Sequence, residues 1–289
     1  MKQKLFTGAC TALVTPFCDG KINYPMLEKI LTRQIDAGIR AIVLAGTTGE
    51  SSTLTDCEKT ELISRAKSFV GDECMIIAGS GSNSTAHAVS LSISAEQAGA
   101  DALLIVSPYY NKATSNGLIT HYSLIAEAVS IPMILYNVPS RTGQDMPVTV
   151  YRALSRIPKI AGVKEASTDI SKITRIRKSC SQDFTVWSGN DELAVPTISV
   201  GGQGVISVLS NIVPREVSAM VNAALDGDLD TAADLQTQLQ PLCDLLFCEV
   251  NPIPVKATMK YIGYDCGECR LPLSPLSKAN QERIRKFFS

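Results

Sequence analysis

The chain has 289 residues, of which 45% are hydrophobic and 19% charged, and its formal net charge is −1. These values are those of an ordinary soluble globular protein. Because no basic cluster stands out and the longest apolar runs fall far short of the roughly 20 residues of a membrane-spanning helix, we expect no nucleic acid and no membrane as partner.

Cysteine and histidine usage limits the chemistry further. The nine cysteines are an odd number spread over a long chain, which fits reduced thiols in a cytoplasmic protein better than a disulfide framework. Cys266 and Cys269 are weak evidence for zinc because no second pair of ligands lies nearby, so we expect no metal. With only two histidines, His87 and His121, hydrolysis through a histidine base and histidine-ligated metal catalysis have little support.

The N-terminal segment predicts a first strand and not a signal peptide, since Lys2 and Lys4 precede an apolar run that Thr7 and Gly8 break. Further apolar segments follow at intervals of about 20 to 33 residues, the spacing of repeated strand-helix units. The eight segments are Cys10 to Val14, Ala41 to Ala45, Met75 to Ala78, Ala102 to Val106, Met133 to Asn137, Ile160 to Lys164, Thr185 to Ser188 and Gly204 to Val208. Eight such units predict a closed parallel (β/α)8 TIM barrel. An open doubly wound sheet is the alternative, but no Gly-x-Gly-x-x-Gly motif opens a helix after the first strand.

The pattern changes after about Leu225, where the strand signal stops. Asp228 to Phe247, Pro254 to Ile262 and Ser277 to Phe288 predict three helices that pack against the barrel or against a neighbouring subunit. We therefore predict a (β/α)8 catalytic barrel over residues 1–226 and a C-terminal three-helix extension over residues 227–289.

Lys164 ends one of the predicted strands, and in such a barrel the active site is built where the strands end. A lysine buried in an apolar strand is either paired with an acid or loses its charge readily, and a neutral amine can condense with a carbonyl to give a Schiff base. Strand alternation places Tyr136 on the inward face, as it does Lys164, so the hydroxyl and the amine can meet at the barrel mouth. A solvent-reaching lysine and a core tyrosine remain the alternative interpretations.

Glycine-rich segments follow other strands. In Gly46-Thr47-Thr48-Gly49-Glu50-Ser51 the glycines let the backbone approach a ligand, and the hydroxyls and amides can hold a carboxylate. Gly189 and the pair Gly201 and Gly202 would leave room for a small substrate beside Lys164. Turn geometry alone also explains these glycines.

Several motifs occur together in one order along nearly the whole chain. They are Gly46-Thr47-Thr48-Gly49-Glu50, Pro108-Tyr109-Tyr110-Asn111, Tyr136-Asn137-Val138-Pro139-Ser140-Arg141-Thr142-Gly143, Gly162-Val163-Lys164-Glu165-Ala166 and Asn251-Pro252-Ile253-Pro254-Val255-Lys256. With them the chain resembles the dihydrodipicolinate synthase family. The resemblance implies a pyruvate-dependent, aldolase-type lyase of lysine and diaminopimelate biosynthesis that condenses pyruvate with L-aspartate 4-semialdehyde and needs no metal or organic cofactor.

The resemblance also implies roles for single residues. Lys164 would form the Schiff base with pyruvate. Tyr136, Thr47 and Tyr110 match the family's proton-relay triad, with Tyr110 reaching across from the partner subunit. A homodimer is therefore implied, with two such dimers joined in a tetramer.

Four more residues match substrate-binding positions of the family. Thr48 matches the residue that binds the pyruvate carboxylate, Arg141 the one that holds the carboxylate of the semialdehyde, and Gly189 with the backbone of Ile206 would line the pyruvate pocket. Another Schiff-base aldolase, such as N-acetylneuraminate lyase or a 2-keto-3-deoxy sugar acid aldolase, is the main alternative, and a catalytically silent barrel that binds a keto acid is a second. Arg141 favours an acidic acceptor over a sugar aldehyde.

The chain differs from the family at the positions that bind the inhibitor lysine in its lysine-inhibited members. Family members inhibited by lysine bind it at the dimer interface through histidine, asparagine, glutamate and tyrosine side chains. Asn83 and Tyr109 match that set, but Asp56 and Lys59 stand where histidines occur, and His87 replaces the glutamate. We therefore expect weak inhibition by L-lysine or none, because a cation without a paired acid is costly to bury.

Overall fold

The computed structural model describes residues 5–289, so Lys2 and Lys4 of the N-terminal segment lie outside the described residues. Eight parallel strands form a closed barrel, and the remaining two strands pair as a short hairpin. The strands are β1 (Gly8–Ala12), β2 (Phe17–Cys18), β3 (Lys21–Ile22), β4 (Ala41–Leu44), β5 (Met75–Gly79), β6 (Ala102–Val106), β7 (Met133–Asn137), β8 (Ile160–Glu165), β9 (Thr185–Ser188) and β10 (Gly204–Ser207). The barrel closes because β1 pairs with β10 on one side and with β4 on the other. The predicted (β/α)8 TIM barrel is confirmed.

Helices connect the barrel strands and continue beyond the last of them. They are α1 (Tyr24–Asp36), α2 (Asp56–Val70), α3 (Thr85–Gln97), α4 (Ser115–Ala128), α5 (Pro139–Thr142), α6 (Val148–Leu154), α7 (Ile170–Ser179), α8 (Ala194–Ser199), α9 (Pro214–Asp226), α10 (Leu229–Leu246), α11 (Ile253–Tyr261) and α12 (Lys278–Phe288). Several begin at polar caps; at α2, Thr55 and Glu58 form a reciprocal capping box. Between residues 5 and 289 no helix is both long and apolar enough to cross a bilayer.

Side chains that point inward fill the barrel, while those that alternate with them face the helices. Trp187, Ile134 and Ile206 belong to the inner cluster and are fully buried. Gly162 makes room for this packing, since a Cβ there would lie 2.0 Å from the Thr185 carbonyl oxygen and 2.8 Å from the Trp187 ring. The interior of the barrel is therefore a packed core.

The three helices after the barrel lie where the sequence predicts them, as α10, α11 and α12. The extension contacts the barrel of its own molecule through a buried ion pair, in which Lys256 Nζ of α11 lies 2.9 Å from Glu50 Oε1. Glu50 also accepts a hydrogen bond from the backbone N–H of Arg270. The division of the chain at residue 226 stays a prediction.

Candidate active site

A cavity of ≈520 Å³ opens where the barrel strands end. Six of the eight residues to which the family resemblance gave a role line it: Thr47, Thr48, Tyr136, Arg141, Lys164 and Gly189. They come from the ends of β7 and β8 and from the segments after β4, β7 and β9. Parallel strands bring these positions together because their carboxyl ends share one edge of the barrel.

Lys164 lies on the inner face of the barrel and is only 5% exposed, which excludes the interpretation of a solvent-reaching lysine. It stands directly opposite Tyr136 on the adjacent strand, and its Nζ lies 4.5 Å from the centroid of the Tyr136 ring. No carboxylate of the described residues forms an ion pair with it, whereas the buried Lys172 and Lys256 each pair with a buried glutamate. Its amine therefore lies close to the Tyr136 ring and forms no ion pair among the described residues.

The loop after β4 carries Thr47 and Thr48 and is held from outside the barrel. Glu50 at its end is buried and bonded to Lys256. Thr48 is also buried, and its Oγ1 accepts a hydrogen bond of 3.0 Å from Asn251 Nδ2. The C-terminal extension thus fixes the loop whose hydroxyls and amides face the cavity.

Asn251 is a functional candidate that sequence reasoning missed, although it quoted the motif that contains the residue. Its backbone carbonyl accepts a hydrogen bond of 3.4 Å from Arg141 Nη2, and its side chain bonds Thr48. Its Oδ1 is buried without a partner in the described structure, and the residue lines the cavity. Asn251 therefore links Thr48 and Arg141, the two residues expected to bind the substrate carboxylates.

Asp191 is a second residue that was overlooked, because the segment after β9 was noted only for its glycine. Its carboxylate is buried and accepts backbone hydrogen bonds from Val208 at 2.9 Å and Leu209 at 3.0 Å. Burial raises the pKa of Asp191, and the charge of Lys164 opposes that shift. Asp191 fixes the turn after β10, and Val208 of that turn lines the cavity.

Two of the eight predicted residues lie elsewhere. Ile206 is fully buried in the inner cluster of the barrel and is not among the residues that line the cavity. Tyr110 is 91% exposed, has a positive φ of 70°, and lies outside this cavity as well. Their roles in the reaction stay predictions.

A second cavity of ≈490 Å³ lies beside the first, and Thr47 and Arg141 line both. It contains Asp56, Lys59 and His87, the residues on which the expected insensitivity to lysine rests. Asp56 Oδ2 lies 2.9 Å from His87 Nε2. Burial lowers the pKa of Lys59, and the charge of Asp56 opposes that shift. The one acid of this set is therefore already paired.

The cysteine pair shows no sign of a metal centre. Cys266 is buried, Cys269 is half-buried, and both have free thiols. Across residues 5–289 no group of three or more histidine, cysteine, aspartate or glutamate side chains is arranged to hold a metal ion.

Known proteins match the chain over nearly its whole length. The model of the dihydrodipicolinate synthetase family matches residues 5–289. The 4-hydroxy-tetrahydrodipicolinate synthase of Methanosarcina mazei is 48% identical over 285 residues, which cover 97% of this chain and 96% of that protein. The structure of dihydrodipicolinate synthase from Aquifex aeolicus has a TM-score of 0.96 at 40% identity and covers 98% of this chain and 97% of its own.

The structure of the chloride-inhibited dihydrodipicolinate synthase from Acinetobacter baumannii, solved in complex with pyruvate, has a TM-score of 0.95 at 41% identity and covers 97% of each chain. These matches confirm the resemblance seen in the sequence motifs and the synthase activity that it implies. The chain belongs to the dihydrodipicolinate synthetase family.

Proposed function

We propose that this protein condenses pyruvate, bound as a Schiff base on Lys164, with L-aspartate 4-semialdehyde. The observation that supports the proposal is the environment of Lys164. It is buried and forms no ion pair with an acid of the described residues. It lines the cavity of ≈520 Å³ and lies opposite Tyr136 on the adjacent strand. An amine that contacts no carboxylate is open to attack the carbon of a carbonyl group, and its unprotonated form is the nucleophile.

The reaction begins when the Lys164 amine adds to the keto carbon of pyruvate. The adduct takes up a proton and loses water, which leaves a protonated imine. Removal of a proton from the pyruvate methyl carbon gives the enamine. The enamine carbon then bonds to the aldehyde carbon of the semialdehyde while the aldehyde oxygen takes up a proton. Each step moves a proton, and the cavity offers hydroxyls for that task at Tyr136 and Thr47.

Two further side chains suit the carboxylates of the substrates. Thr48 lines the cavity and is held by Asn251, which supports its assignment to the carboxylate of pyruvate. Arg141 lies at the rim, where a guanidinium can bind the carboxylate of the semialdehyde through two hydrogen bonds. Gly189 keeps the wall beside them free of a side chain.

The proposal includes a second copy of the chain as partner. Tyr110, expected to complete the proton relay, is 91% exposed, as suits a side chain that reaches into another subunit. We therefore propose a homodimer as the functional unit, with two dimers joined in a tetramer, working in the cytoplasm. Size-exclusion chromatography with light scattering measures the assembly, and loss of activity in Tyr110→Phe without loss of the dimer would support the relay.

The test of the proposed function is reductive trapping. Incubation with pyruvate and borohydride should attach one pyruvate-derived adduct per chain, and peptide mass mapping should place it on Lys164. A Lys164→Arg variant is the matched control, because it keeps the charge and lacks the nucleophile. An adduct on another residue, or no adduct in active protein, contradicts the mechanism. A folded chain that binds pyruvate but forms no adduct and shows no turnover would be a silent keto-acid-binding barrel.

The acceptor is tested separately, with pyruvate held at saturation. Initial rates with L-aspartate 4-semialdehyde should exceed those with N-acetylmannosamine or glyceraldehyde by orders of magnitude. A preference for either sugar aldehyde would assign the chain to the other Schiff-base aldolases, although Lys164 would keep its role.

A further inference from the structure

The pairing of β7, which carries Tyr136, with β8, which carries Lys164, has a register shift near the start of both strands. Met133 of β7 stands opposite Ile160 of β8, but the next residue, Ile134, stands opposite Gly162. Ala161 is thus an extra residue in β8, with no residue opposite it. Because side chains alternate along a strand, one extra residue turns all later side chains of β8 to the other face.

This shift decides where the nucleophile points. With it, Lys164 stands opposite Tyr136 on the inner face and Glu165 stands opposite Asn137 on the outer face. Without it, Val163 would stand opposite Tyr136, and the lysine would point at the helices outside the barrel. The site therefore needs contacts that favour the shifted register.

The side chain of Glu165 makes such contacts on the outer face, where it is only 2% exposed. Its Oε1 accepts hydrogen bonds from Asn137 Nδ2 at 2.7 Å and from the backbone N–H of Ser167 at 2.9 Å. Its Oε2 accepts one from the Tyr151 hydroxyl at 2.9 Å and lies 3.3 Å from Lys172 Nζ. Burial and the Glu165 charge raise the pKa of Tyr151 well above 10, so its hydroxyl remains a donor.

We infer that Glu165 is a positioning residue that holds β8 in the shifted register and thereby aims Lys164 at Tyr136. It bonds Asn137 directly across the strand pair, one residue beyond the pair that reacts. A slipped strand would turn the carboxylate into the apolar barrel and leave Lys172 without this partner, and both changes are costly for buried charges. The inference rests on the proposed function of Lys164.

Lys172 extends the contacts of Glu165 to a second carboxylate, that of Asp145. It is buried, and its amine contacts the carboxylates of both Glu165 and Asp145. Asp145 also accepts a hydrogen bond of 2.8 Å from Asn137 Nδ2 and lines the main cavity, so the network extends from the outer barrel wall to the cavity. Because Glu165 pairs with Lys172 on the outer face, it forms no ion pair with Lys164, although the two residues are adjacent in sequence.

The test compares Glu165→Ala and Glu165→Gln with the wild-type chain. Glutamine keeps acceptors for the two N–H donors, whereas alanine removes the network. We expect kcat and the rate of borohydride trapping by pyruvate to fall about 100-fold in Glu165→Ala, the cost of misplacing a reacting group by about 1 Å. The loss in Glu165→Gln should be about tenfold, since it removes the charge but keeps the shape.

A matched control separates positioning from lost stability. Gln34 is as buried as Glu165 and also joins a strand to its surroundings, through bonds to Thr11 Oγ1 at 2.7 Å and to the carbonyl of Ser210 at 2.9 Å, away from β7 and β8. Gln34→Leu should trap pyruvate at a rate within about threefold of the wild type when rates are normalised to the folded fraction. The KM for pyruvate in Glu165→Ala should also stay within about threefold, because Thr48 is held by a different set of contacts.

Each result decides one question. Trapping by Glu165→Ala at the wild-type rate, or an equal loss in Gln34→Leu, overturns the positioning role. If Glu165→Ala does not fold, Glu165→Gln decides, and a rate equal to that of Gln34→Leu overturns it. If the wild-type chain itself forms no adduct, the proposed function is wrong, and the positioning role, which depends on it, is wrong as well.

Discussion

Two buried lysines of this chain, Lys164 and Lys256, each lie beside an aromatic ring but differ in ion pairing. Lys164 is 5% exposed with its amine 4.5 Å from the centroid of Tyr136, and Lys256 is 2% exposed with its amine 4.4 Å from the centroid of Phe17. Only Lys256 has a carboxylate partner, Glu50 at 2.9 Å. Burial beside an aromatic ring therefore does not by itself make a nucleophile. We propose Lys164 as the nucleophile because it forms no ion pair among the described residues and lies at the mouth of the barrel.

The largest effect should come from Lys164. Lys164→Met should lower turnover by several orders of magnitude, because no other lysine of residues 5–289 lines the cavity. It should leave the free energy of unfolding unchanged or higher, since it replaces an unpaired buried amine by a side chain of similar length. Initial rates and urea unfolding measure the two quantities. A strongly destabilised variant would mean that Lys164 has a structural role, as Lys256 does.

Lys256→Met should show the reverse pattern. It leaves Glu50 buried and unpaired, which costs about 3–5 kcal/mol of unfolding free energy. The folded fraction should still trap pyruvate on Lys164. As control, Lys256→Met combined with Glu50→Leu should recover part of the lost stability, since the unpaired charge is gone. If the double variant is no more stable than the single one, the ion pair does not explain the burial of Lys256.

Arg141→Ala should raise the KM for the semialdehyde about 10- to 100-fold, the cost of losing hydrogen bonds between charged groups. The rate of pyruvate trapping on Lys164 should stay near that of the wild type. Arg141→Lys, which keeps the charge but not the planar fork, should lie between the two. An equal loss of trapping and turnover would show that Arg141 acts by holding Asn251 and its loop.

His121 is a third buried basic side chain that can be compared with the two lysines. Its Nδ1 lies 2.9 Å from Thr85 Oγ1, and burial lowers the pKa of His121 from 6.5 to about 4. The unfolded chain therefore binds more protons in this range, so stability should be lost as pH falls from about 6.5 to about 4. Urea midpoints at several pH values measure this, and His121→Gln should flatten the slope. An unchanged slope would show that other groups control acid unfolding.

The smallest effect expected is that of L-lysine on the rate. Its two ammonium groups need an acid, and Asp56 is already paired with His87, while Lys59 adds a like charge to the same cavity. Lysine titrated into the millimolar range at fixed substrate concentrations should leave the initial rate nearly unchanged. Strong inhibition would show that Asp56 exchanges His87 for the ligand, and His87→Glu should then bind lysine more tightly still.

Much of the active site followed from local patterns. Strand alternation predicts that Tyr136 and Lys164 point inward, and both side chains line the cavity. The extra residue at Ala161 was not visible in that pattern, since it exists only relative to the neighbouring strand. Asn251 was missed because it lies 87 residues beyond Lys164 and reaches the cavity only through the packing of the extension.

The sequence by itself determined the eight strands, the three helices that follow them, and the residue types at the strand ends, because these depend on periodicity and on chemistry that each segment carries alone. The tertiary structure decided that Lys172 and Lys256 each pair with a buried glutamate and that Lys164 does not. The register of β7 and β8 places Glu165 beside Lys172 and turns Lys164 to the opposite face. The packing of α11 against the barrel places Lys256 beside Glu50. Pairing of buried charges depends on neighbours distant in the chain, and only the folded molecule brings those together.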